Sequence, residues 1–129
     1  MLIQNIKSYE NFETYLQKYK YIIVNISATW CKPCIVLKPH IEKFVTVIDE
    51  IEFIYLKLDN NIYDTDNRFD IFFKLKKIPY FCIIQNEKII DSFVSSDFSF
   101  VSKKIYDSVT SKKDEEKILN NTFFKNDDF

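Results

Sequence analysis

The sequence predicts an α/β domain of three layers, a central mixed β-sheet flanked by helices. Three observations carry that expectation. Tyr21 to Ser27 is a nearly continuous apolar run rich in β-branched residues, and Glu52 to Leu58 is a second largely apolar run, the pattern of strands buried on both faces. Segments with apolar residues at helical spacing alternate with these runs in the first half, which implies parallel pairs joined by right-handed crossovers. Two more strand-like runs then follow in close succession, as in an antiparallel hairpin. The 129 residues are enough for one core and too few for two full-sized domains.

Each element has its own signal. Leu2 to Ile6 reads as a short edge strand. Ser8 caps a helix running to about Lys20, because Phe12, Tyr15, Leu16 and Tyr19 recur at helical spacing. The Tyr21–Ser27 strand leads into Trp30-Cys31-Lys32-Pro33-Cys34. Beyond it Leu37, Ile41, Phe44, Val45 and Ile48 share one helical face, with Pro39 kinking the helix through its missing backbone donor. After the Glu52–Leu58 strand, Asp64 or Asp66 caps a helix that includes Phe69, Phe72, Phe73 and Leu75. Tyr80 to Ile84 and Lys88 to Val94 pair across a turn at Gln85-Asn86-Glu87. Ser96 or Asp97 starts a last helix through Val101, Ile105 and Val109. The chain has no glycine, so tight turns fall to Asn, Asp, Ser or Pro. The expected organisation is one domain over residues 1–110, followed by a charged, Asn-rich tail over 111–129 that is mobile at its end and carries Phe123, Phe124 and Phe129.

Composition narrows the function classes. The 18 basic and 19 acidic residues leave a formal net charge of −1, which steers the protein toward neither nucleic acid nor an anionic membrane. Met1 to Phe12 lacks the basic start and apolar stretch of a signal peptide, and no apolar run reaches spanning length. The expectation is a soluble, cytoplasmic protein with no membrane and no nucleic-acid partner. Three cysteines in that compartment do not suggest a structural disulfide framework, whereas a close pair suits catalysis or metal binding.

That pair is Cys31 and Cys34. The spacing alone is a weak signal; the only Trp directly before Cys31, Pro33 directly before Cys34, and the position between strand and helix sharpen it. Residues three apart at a helix start lie within reach of disulfide geometry. Cys31 falls where unpaired backbone N–H groups and the positive end of the helix dipole favour an anion. Lowering a thiol pKa from about 8.5 to about 7 raises the thiolate fraction near neutrality roughly tenfold. Cys31 is therefore expected as nucleophile, and Cys34, one turn deeper and more shielded, as resolving thiol. Lys32 places positive charge beside the thiolate and favours the reduced form, and Pro33 suits the first helical turn. Trp30 offers a flat apolar contact to substrate. A metal site normally takes four ligands, and Cys82 and His40 form no second pair, so neither metal nor organic cofactor is expected. His40 reads as a helix-surface residue and Cys82 as an inert core thiol.

With those residues in view, the chain resembles the thioredoxin family over about residues 1–110. Ala28-Thr29-Trp30-Cys31-Lys32-Pro33-Cys34 is similar to that family's active-site segment, with Lys32 where glycine is usual, and Pro39 matches its helix-kinking proline. The resemblance implies a thioredoxin-like fold and a disulfide oxidoreductase acting on disulfide-containing protein substrates, reducing rather than oxidising, with a thioredoxin-reductase-type electron donor. It also implies that Ile78-Pro79 is the family's cis-proline loop, which binds an extended substrate segment through backbone. Three positions depart from the family pattern. Asn25 stands where a buried aspartate accepts the resolving thiol's proton. The family's nearby lysine aligns with Tyr55, with Lys57 one pleat further along the same face. Ser95 replaces a substrate-facing glycine and narrows the groove beside Pro79. These departures leave a second class open, an interaction module with little redox turnover, and a more oxidising oxidase or isomerase within the first.

Overall fold

The computed structural model describes residues 1–111. Five strands, β1 (Leu2–Asn5), β2 (Tyr21–Ser27), β3 (Phe53–Asp59), β4 (Tyr80–Gln85) and β5 (Lys88–Val94), form one sheet in the order β1-β3-β2-β4-β5. β1 and β2 both run parallel to β3, while β4 runs antiparallel to β2 and to β5. The helices are α1 (Tyr9–Lys18), α2 (Lys32–Val47), α3 (Asn60–Tyr63) and α4 (Asn67–Phe73), and α5 covers residues 98–111. This is the expected mixed sheet flanked by helices.

The strand alternation builds the layers. Ile22, Val24 and Ile26 project to one face and pack with Phe12 and Leu16 of α1 and Phe69 and Phe73 of α4. Tyr21 and Ile23 project to the other, against Leu37, Ile41 and Val45 of α2 and Val101 and Ile105 of α5. β2 is thus covered on both sides, which explains its largely apolar sequence. The α2 face reads as its spacing predicts, with Phe44 and Ile48 at its half-buried edge.

Local chemistry sets the boundaries. Ser8 accepts the Asn11 N–H at 3.0 Å and starts α1. Asp66 rather than Asp64 caps α4, accepting from the Arg68 N–H at 3.0 Å. Leu75, expected inside α4, lies beyond it, because Lys74 turns into the left-handed region at φ 53° and stops the helix. The β4–β5 turn contains two residues, not three: Gln85 pairs with Lys88, leaving Asn86 and Glu87 at φ 52° and 67°. Lys74 and Glu87 therefore stand at turns expected to be made by Asn, Asp, Ser or Pro, and both take a positive φ. A Cβ is disfavoured there. Lys74→Gly is expected to raise stability by roughly 0.5–1 kcal/mol in urea unfolding, with an unchanged urea dependence. A loss of stability would contradict it.

Asp97 begins α5, accepting the Ser99 N–H at 3.0 Å. The proposed tail lies outside the described residues except for Ser111, which is helical.

Candidate active site

The cysteine pair sits where β2 hands over to α2. Cys31 is the N-cap of α2 and its Sγ accepts the Cys34 N–H at 3.4 Å, satisfying one otherwise unpaired donor. Pro33 fits the first turn because that turn needs no donor from it. The two cysteines are joined as a disulfide with Cα atoms 5.3 Å apart. One expectation is corrected. Cys34 is not markedly the more shielded: the two are buried almost alike, Cys31 6% exposed and Cys34 5%, because both tuck against Ala28 and Ile78.

Around this buried pair the surface combines exposed apolar side chains with the Lys32 cation. Trp30 is 68% exposed, and Lys32 and Pro33 are also exposed. Ile35 and Val36 extend the same rim, exposed on the first turns of α2. Both were overlooked in the sequence, although their positions off the Leu37–Ile41–Val45 stripe gave the signal. Ile78 packs against the cysteine cluster, and the Ile78–Pro79 peptide bond is cis. The Pro79 ring is buried, and its carbonyl accepts the Ser95 N–H at 3.3 Å. The Ser95 hydroxyl accepts the Asp97 N–H at 3.1 Å.

Beneath Cys34 a cavity of about 290 Å³ opens between α2 and the sheet, lined among others by Asn5, Asn25, Glu42, Tyr55, Lys57 and Asp59. Asn25 donates through Nδ2 to the Tyr80 carbonyl at 3.2 Å. Its cross-strand partner on β3 is Lys57, while Tyr55 pairs with Ile23. Lys57 in turn donates to Glu42 Oε1 at 2.9 Å, both side chains about a quarter exposed at 22% and 26%. Burial drives the Tyr55 phenol well above its ordinary value, so it stays protonated.

The remaining candidates keep ordinary roles. His40 is exposed and rests near the Phe98 ring at 5.8 Å. Cys82 is fully buried on β4, and burial pushes its thiol up to about 12 from 9.0. The folded chain therefore holds this proton more tightly than the unfolded chain. The linked stability is intact below about pH 9 and is lost as pH rises toward 12. Reduced, folded protein is expected to show two titratable thiols toward a disulfide reagent at pH 8, and a third only after unfolding. Three reactive thiols in the folded state would contradict this. Among the described residues no cluster of His, Cys, Asp and Glu could hold a metal ion, and no helix is long and apolar enough to cross a membrane.

A cysteine pair closed across a helix N-terminus, beside a cis-proline loop on a five-stranded mixed sheet, defines a domain equipped for thiol–disulfide exchange. The chain belongs to the thioredoxin family, whose model matches residues 4–111. It is 30% identical over 89 residues to a thioredoxin of Ictalurus punctatus, covering 68% of this chain and 79% of that protein. It is 29% identical over 86 residues to Thioredoxin H4-2 of Oryza sativa subsp. japonica, covering 67% of this chain but only 61% of the rice protein. The crystal structure of Malassezia sympodialis thioredoxin (Mala s 13) superposes with a TM-score of 0.69 at 25% identity, covering 86% of this chain and 93% of that one.

Proposed function

We propose that this protein reduces protein disulfides through a Cys31/Cys34 dithiol–disulfide cycle. The observation that carries the reading is the Cys31 sulfur at the N-cap of α2, bonded to Cys34 and accepting its backbone N–H. A sulfur so placed is favoured as an anion, both by the local donor and by the helix dipole. In the cycle, the Cys31 thiolate attacks a substrate disulfide and forms a mixed disulfide. Cys34 then attacks Cys31 Sγ, which releases reduced substrate and leaves the protein oxidised. The exposed Trp30, Ile35 and Val36 support docking of an extended substrate segment, with the exposed Lys32 and Pro33 and the backbone of Ile78 and Pro79 beside it. The oxidised pair then needs a dithiol donor, a role suited to a thioredoxin-reductase-type partner. A cytosolic setting suits both that partner and the free thiol of Cys82.

Asn25 favours a second reading, a thioredoxin-fold interaction module. Its amide is engaged with the Tyr80 carbonyl and cannot ionise to serve Cys34. Insulin reduction with dithiothreitol as electron supply separates the two. The expected result is precipitation of the reduced insulin chains well ahead of dithiothreitol alone. Equal rates with and without the protein would sink the reductase reading.

A further inference from the structure

Resting on that reductase reading, we propose that Glu42, held by Lys57, receives the proton of Cys34 through water in the cavity beneath the disulfide. The thiolate is the nucleophile in disulfide exchange, so Cys34 must lose a proton before it can attack Cys31. The groups that face the cavity leave few acceptors. Asn5 and Asn25 are amides, Ser27 is a hydroxyl, and Tyr55 is held protonated by burial. Thr29 is a second hydroxyl, Pro79 and the β4 residue Phe81 carry no side-chain acceptor, and Lys38 is a cation. The two carboxylates are Asp59 and Glu42. Asp59 is committed to capping α3, its Oδ1 accepting the Asn61 N–H at 2.8 Å. Among the described residues Glu42 pairs with the Lys57 ammonium at 2.9 Å and caps no helix.

Geometry supports the route. Cys34, Lys38 and Glu42 follow one another at four-residue steps along α2, and helical side chains lean toward the N-terminus, so Glu42 reaches back toward Cys34. Eight residues of helix rise roughly 12 Å, too far for direct transfer. The cavity of about 290 Å³ has room for bridging waters between polar walls.

The charges balance within the cavity. The Cys34 S–H bond breaks and its proton passes along the water chain to a Glu42 carboxylate oxygen, giving the neutral carboxyl. Lys57, released from Glu42, remains positive and faces the new thiolate. The thiolate electron pair forms the Cys34–Cys31 bond as the Cys31–substrate sulfur bond breaks. The departing substrate thiolate takes a proton from solvent, and Glu42 later returns its own to solvent. The substrate disulfide is the oxidant and the protein dithiol the reductant.

The test is the resolution rate of a preformed Cys31 mixed disulfide, followed from pH 6 to 9 in full-length protein. Glu42→Gln keeps size and polarity but cannot take the proton. It is expected to slow resolution about tenfold or more at pH 7, with the rate recovering as pH approaches that of an ordinary thiol. Adding Asn25→Asp to this variant, which restores an acid across from Lys57, is expected to recover the neutral-pH rate. A Glu42→Gln profile superimposable on wild type would overturn the proposal, as would the loss appearing in Asp59→Asn instead. Wild-type protein that forms no mixed disulfide at all would remove the reductase reading itself, a distinct failure.

Discussion

Cys34→Ser is expected to hold its substrate. Cys31 still attacks, the mixed disulfide forms, and nothing releases it, so covalent complexes with disulfide-bearing proteins accumulate and insulin turnover falls by at least about 100-fold. Cys31→Ser is expected to lose turnover to the same floor while forming no complex, because the attacking sulfur is gone. The asymmetry follows from position: Cys31 is the N-cap and receives the Cys34 N–H, whereas Cys34 lies inside the first turn. Near-equal exposure of the two residues means that local electrostatics, rather than burial, separates their roles. Non-reducing electrophoresis with mass analysis of the linked peptide reads the outcome. Equal trapping by both variants, or trapping through Cys34, would reverse the assignment.

The second large effect is on the fold. Phe12 of α1 is fully buried, and its ring meets those of Tyr9, Phe69, Phe72 and Phe73 at centroid distances of 5.9, 6.2, 5.2 and 5.3 Å. Truncating it leaves a void between α1, α4 and the sheet that rigid neighbours cannot close. Phe12→Ala is expected to lower unfolding stability by about 3–5 kcal/mol, a large share of the roughly 5–15 kcal/mol of an ordinary domain. Urea denaturation at 25 °C measures it. A change below about 1 kcal/mol would show that this aromatic cluster is loosely packed and adapts.

Much of this was legible because the signals were physical and local. Strands β2 and β3 announced themselves by apolar composition, Ser8 by its capping position, and α2 by the stripe through Leu37, Ile41 and Val45. The cysteine pair was readable from its place between strand and helix. Other features depend on contacts distant in sequence. α3 is four residues long and has too little periodicity to be seen. The end of α4 rests on the backbone angle of Lys74, which nothing in its residue type foretells. The Lys57–Glu42 pair joins a strand to a helix 15 residues earlier. Its one sequence trace was a lysine interrupting an apolar strand. The equal shielding of Cys31 and Cys34 was hidden for a related reason, since Ala28 and Ile78 close over both from outside the helix.

The reversible chemistry of the pair can be read without any substrate. Reduced protein equilibrated in glutathione buffers of graded potential, then quenched and alkylated, reports the fraction of Cys31–Cys34 disulfide by mass. One two-electron transition is expected, with a midpoint between about −270 and −180 mV, the upper part of that span reflecting Lys32 beside the attacking sulfur. A pair that stays dithiol throughout, or one still fully bonded below about −300 mV, would contradict a working redox cycle.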